Sequence, residues 1–170
     1  MEQVEVESPP ESMNSGRLLS EDASRLFNRG SQLLAEGEAT ESLSLFRDAA
    51  KLAPEHAQLR SLMGVAVAQA EHDFEQSRSL CESAAKQEFF NPNLYLNLSR
   101  VYLEFGRRAE AMRYLRRGQM IDPGHDLIRQ TIGELGQRKK PILPFLPRRH
   151  LVNRALGTAR NLVLIGFSGR

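Results

Sequence analysis

A spacing that recurs along this 170-residue chain leaves few folds open to it. Gly30 and Gly64 stand 34 residues apart, each inside an apolar stretch (LFNRGSQLL and LRSLMGVAVAQA), and Pro54 and Pro123 stand 69 apart, two such periods plus one. A recurrence of this length marks stacked supersecondary units, each of which buries its apolar face only against its neighbours. The clearest unit is 92–125, where Leu94, Leu98, Val101, Tyr102, Ala111 and Leu115 recur at threes and fours, the period of a helix burying one stripe. Asn91-Pro92 supplies an N-cap and a first-turn proline, Gly106 a tight reversal, and Pro123 a stop. Two helices per unit follow, and the expected fold class is all-α. Gly30 and Gly64 in mid-helix each cost about 1 kcal/mol against Ala in isolation. That cost is offset if they let neighbouring helices approach closely.

Counting Pro92 as position 1, the unit carries Tyr95 at 4, Leu98 at 7, Ser99 at 8, Tyr102 at 11, Gly106 at 15, Ala111 at 20, Leu115 at 24, Gly118 at 27 and Pro123 at 32. On these residues it resembles the tetratricopeptide repeat. Residues 23–56 fit the same frame with Leu26, Gly30, Leu33, Phe46, Ala49 and Pro54, except that Ser42 replaces the usual Ala at position 20. Residues 57–91 fit as a 35-residue version with one extra residue near Ala70-Glu71-His72-Asp73, no glycine at the helix turn, and Phe89 in the place of the closing proline. Residues 126–137, with Leu127, Ile128, Ile132 and Leu135 expected on one side, read as a helix capping the last repeat. The body is thus expected over 20–137.

The resemblance implies an α-solenoid of antiparallel helix pairs in a right-handed superhelix, with the first helix of each pair lining a concave groove for peptides or helices of partners. Carried over position by position, the groove residues are Phe27, Ser31 and Leu34 in the first repeat, Ser61, Val65 and Gln69 in the second, and Asn93, Leu96, Arg100 and Leu103 in the third. Asn97 adds a polar group at position 6. Members of the family that clamp a C-terminal carboxylate use lysine, arginine and asparagine at positions 2, 5, 6 and 9. Positions 2 and 5 here are Ser24, Phe27, Gln58, Ser61, Asn93 and Leu96, without a lysine, so a full clamp is not expected.

The net charge of +2 conceals a strong asymmetry. Residues 1–22 hold six acids against one base, whereas 138–170 hold eight bases and no acid. Residues 1–19, acidic with Pro9-Pro10, are expected to be disordered. In 138–170 prolines recur every third residue at Pro141, Pro144 and Pro147, the turn of a polyproline II strip, and a short amphipathic helix is expected after His150. Lys139, Lys140, Arg148, Arg149, Arg154 and Arg160 make this tail basic. Weak contact with an anionic membrane surface is one role for it; nucleic-acid binding is not expected, because only Phe145 and Phe167 offer stacking surfaces there.

Nothing in the sequence points to catalysis. His56, His72, His125 and His150 sit near helix ends and turns, never at i and i+4, so no metal ligand pair is visible and no metal is expected. Cys81 falls where a small core residue belongs and reads as a buried, inert thiol. No Gly-rich phosphate loop and no nucleophile elbow occurs, so neither a cofactor nor an enzymatic activity is expected. The longest apolar run, Leu162 to Phe167, is far short of the roughly 18 residues that cross a bilayer, and the acidic head lacks the pattern of a secretory signal, which makes a cytoplasmic location the expectation.

The reading is therefore a non-catalytic interaction adaptor or scaffold that takes an apolar strip or amphipathic helix of a partner protein. Two alternatives remain at this stage: a small repeat chaperone of the type III secretion kind, and an adaptor whose basic tail attaches to a membrane surface or occludes its own groove.

Overall fold

A computed structural model describes residues 19–136. They form seven helices, α1 Glu21–Glu36, α2 Ala39–Leu52, α3 Ala57–Ala70, α4 Phe74–Gln87, α5 Pro92–Glu104, α6 Arg108–Ile121 and α7 Asp126–Gly136, and no strand. The expectations for the acidic head and for the basic tail lie outside the described residues. Helices α1 and α2, α3 and α4, and α5 and α6 pack as pairs, and successive pairs stack through α2 on α3, α4 on α5 and α3 on α5.

Local chemistry accounts for where the helices begin and turn. Side chains cap α1, α3, α4 and α5: Ser20 accepts from the Ala23 amide, His56 Nδ1 from Leu59 at 3.1 Å, Asp73 from Gln76 at 3.0 Å and Asn91 from Asn93 at 3.1 Å. Each accepts for an amide that the first turn leaves without a partner. Helices α2 and α6 have no such cap and follow left-handed turns at Gly37 (φ 91°) and Gly106 (φ 69°). The middle pair reverses the same way at His72, with φ 52° and a β-carbon. His72 follows Gly64 by eight residues, where Gly37 and Gly106 follow Gly30 and Ser99 by seven, so the extra residue of the middle unit lies within 65–72.

The core is a chain of linked clusters rather than a single ball. Leu43, Phe46, Leu59 and Val67 join α2 to α3; Val65, Cys81, Leu98, Tyr102 and Ala111 join α3, α4, α5 and α6; Ala57, Ala84, Leu94 and Tyr95 join α3, α4 and α5. The mid-helix glycines sit at the closest approaches. A Cβ on Gly30 would stand 2.8 Å from the Phe46 ring, and one on Gly64 would stand 2.7 Å from Cys81 Sγ and 2.9 Å from the Ser77 carbonyl oxygen. Ser42, at the position where Ala is usual, is buried and donates to the Gly30 carbonyl at 2.8 Å, so its hydroxyl is satisfied.

Helix α7 lies over the third pair through one fully buried side chain, Ile128, next to Gly118. Leu127, expected beside it, is instead 50% exposed. Adjacent positions are about 100° apart on a helix, so both cannot face the same contact.

Candidate functional site

Helices α1, α3 and α5, expected to line the groove, pack against one another in that order. Leu34 of α1, Val65 and Ala68 of α3 and Leu103 of α5 pack in one cluster, which makes a continuous apolar floor across the three pairs. Val65 and Ala68 are small and α3 has a neighbour on either side, so both are covered; Leu34 and Leu103 remain half-exposed. Ala35, Gln69, Arg100 and Glu104 are exposed around this floor.

The groove positions carried over by resemblance divide into two groups. Phe27, Ser31, Leu34 and Leu103 are half-buried, and Gln69, Asn93 and Arg100 are exposed. Phe27 also packs inward, its ring centroid 6.2 Å from that of Phe46 and 5.8 Å from that of His56, and Ser31 Oγ donates to the Phe27 carbonyl at 2.8 Å. Ser61, Val65, Leu96 and Asn97 are enclosed: none is more than 4% exposed. Ser61 lies against α4, its carbonyl accepting from the Cys81 thiol at 3.2 Å, because Gly64 one turn on lets the two helices close together. Asn97 is enclosed and its Oδ1 accepts from Arg100 at 3.4 Å.

The polar groups of this face have defined partners. Asn93 Oδ1 stands 3.0 Å from His125 Nε2, which ties the start of α5 to the residue that caps α7. Arg100 forms no ion pair among the described residues; partial burial lowers its guanidinium pKa, and an arginine stays cationic at physiological pH. Lys139, Lys140, Arg148, Arg149, Arg154 and Arg160 lie outside the described residues.

Two features were not read from the sequence. His56 and His125 are helix caps rather than free surface groups. Phe89 and Phe90, which stand where a closing proline is usual, pack together with ring centroids 4.2 Å apart and planes tilted by 41°, and are 54% and 74% exposed. Two adjacent aromatics in place of a turn proline were the available signal. Cys81 is buried, and burial pushes its thiol up to about 12, so it stays protonated. Among the described residues no group of three His, Cys, Asp or Glu side chains converges on a metal-sized site, and no helix is long and apolar enough to cross a membrane.

A comparison with curated proteins finds no match. The family model of the tetratricopeptide repeat matches residues 68–135. Among solved structures, the Arabidopsis OM64 TPR domain is similar at 18% identity and a TM-score of 0.54, over 66% of this chain and 93% of that one. The Sgt2 TPR domain from Aspergillus fumigatus is similar at 12% identity and a TM-score of 0.58, over 76% and 93%. The second TPR domain of human RPAP3, solved in complex with an HSP70 peptide, is similar at 14% identity and a TM-score of 0.54, over 69% and 97%. The helical body of this chain, three helix pairs and a seventh helix over the end of the third, has the fold of tetratricopeptide-repeat domains.

Proposed function

We propose that this protein is a non-catalytic adaptor whose concave face binds an apolar strip or amphipathic helix of a partner protein. The observation that carries the reading is the apolar floor shared by Leu34, Val65, Ala68 and Leu103, continuous over three stacked pairs and left open at Leu34 and Leu103. An amphipathic helix laid into such a face buries its anchors at threes and fours. A relative in fold, the human RPAP3 domain, holds a peptide. Arg100 is the one cation among groove positions 2, 5, 6 and 9 of the three repeats, and Asn28, Asn93 and Asn97 there are neutral, too little for the clamp of a C-terminal carboxylate. Arg100 then serves to orient a ligand by one acidic contact, with the apolar floor supplying the affinity.

Panning a peptide library against the protein tests this. Enriched peptides should carry large apolar residues at helical spacing without dependence on a free C-terminus. Their binding should weaken at least tenfold in Ala35→Glu and Leu103→Glu while the helical circular dichroism persists. Peptides that bind through a terminal carboxylate, or that bind both variants as well as the parent, would sink the reading.

A further inference from the structure

A second surface lies away from the groove, between α4 and α6. A cleft of about 490 Å³ opens there, with buried Ala85, Tyr95 and Leu98 beneath it and the rings of Phe89 and Tyr114 at its sides. Its charged lining is two cations, Lys86 and Arg117, against one acid, Glu82. The Arg117 guanidinium sits 5.3 Å from the Tyr95 ring centroid, which holds it over the cleft. Arg113, Arg116 and Arg117 share the outer face of α6 at i, i+3 and i+4, all exposed, and none forms an ion pair among the described residues. Other surface cations are answered by local carboxylates, as in Arg25 with Glu21, Arg47 with Glu71, Lys51 with Asp48 and Arg78 with Glu75, although Arg29, Arg100 and Arg107 form no ion pair among the described residues either. Like charges on one helix face repel and weaken that helix by a few tenths of a kcal/mol per pair, and together with Lys86 these arginines give the apolar cleft a positive margin that a ligand of opposite charge would complement.

We propose that this cleft is a docking site for an acidic protein segment in which a large apolar side chain is flanked by carboxylates. The apolar side chain enters between Phe89 and Tyr114 over Tyr95 and Leu98, and the flanking carboxylates meet Lys86, Arg117 and the arginines beside it. A polyanion without an apolar group matches the arginines but leaves the cleft empty, and Glu82 repels it. Exposed Phe89, pinned where the Tyr95 hydroxyl donates to its carbonyl at 3.0 Å, presents its ring to the cleft.

The test is fluorescence anisotropy on the full chain with a labelled short peptide that carries a central Phe between Asp and Glu residues. Binding should weaken with salt. It should drop at least tenfold in Lys86→Glu/Arg117→Glu, and severalfold with an unchanged salt slope in Phe89→Ala. Lys51→Glu on α2, an equal change of charge elsewhere, should leave it alone. Each variant is checked for the parent's melting curve. No binding at millimolar peptide, an unchanged affinity in the double variant, equal binding of a peptide with Ala in place of Phe, or tighter binding of a single-stranded oligonucleotide would each overturn the proposal.

Discussion

Two histidines show how much one side chain can carry in this fold. His56 accepts the Leu59 amide through Nδ1, a role open only to the neutral ring, and desolvation lowers its pKa below 6.5, opposed in part by Glu88. The folded state therefore binds a proton less readily than the unfolded chain. The contribution of this cap is fully present above pH 6.5 and is lost as pH falls from there through the lowered folded value. Urea midpoints at pH 7.5 and 5.5 should differ more for the parent than for His56→Asn, whose amide caps without titrating; equal differences would remove His56 from the account. His72 carries a different burden. It holds a left-handed conformation that Gly37 and Gly106 hold in the other two turns, at a cost of about 1 to 2 kcal/mol for a residue with a β-carbon. His72→Gly should recover part of this, raising stability by about 0.5 to 1 kcal/mol once the extra freedom of glycine in the unfolded chain is subtracted. A thermal melt that moves down would show that the His72 side chain has a role which its exposure does not reveal.

At the scale of the helices, the decisive dimension is how closely two of them approach. Gly64 faces a backbone oxygen and the Cys81 sulfur at distances that no β-carbon tolerates, so Gly64→Ala must push α3 from α4. Overpacking costs about 1 to 3 kcal/mol, and a clash with a backbone oxygen belongs in the upper part of that range, so against about 1 kcal/mol gained in helix propensity the net loss should be about 1 to 2 kcal/mol in denaturant titration. A neutral result would mean that the pair slides apart freely. The close approach was legible in the sequence, since a glycine amid apolar helical residues has few other uses, and so were the reversal at Gly106 and the cap at Asn91. The groove was legible only in part. A position number tells which side of a helix a residue takes, but not how far the flanking helices cover it. Covering depends on the sizes of side chains many residues away, and for that reason Ser61, Leu96 and Asn97 are enclosed while Gln69, Asn93 and Arg100 stay open. The cleft between α4 and α6 was invisible because it belongs to no single repeat.

Across the whole array, stability is the sum of contacts between neighbours, and the ends should be its weakest parts. Every helix from α2 to α6 shares a cluster with at least one helix of another pair, whereas α7 adds only Ile128 as a fully buried side chain. Ile128 stands over Gly118, with its Cδ1 2.7 Å from where a Gly118 Cβ would be, and its amide is the one that the His125 cap receives. Ile128→Ala leaves a void that no other α7 side chain fills, a change worth about 2 to 4 kcal/mol in a closed core. Here the loss has a ceiling, because α7 can come away at the cost of its own docking alone. Amide hydrogen exchange should show protection falling through α7 and along α6, where Gly118 and Leu115 lose their cover, while α1 and α2 exchange as in the parent. Exchange that rises equally in α1 and α7 would mean that the seven helices open as one cooperative unit, and the stacked, neighbour-by-neighbour description of this domain would have to be abandoned.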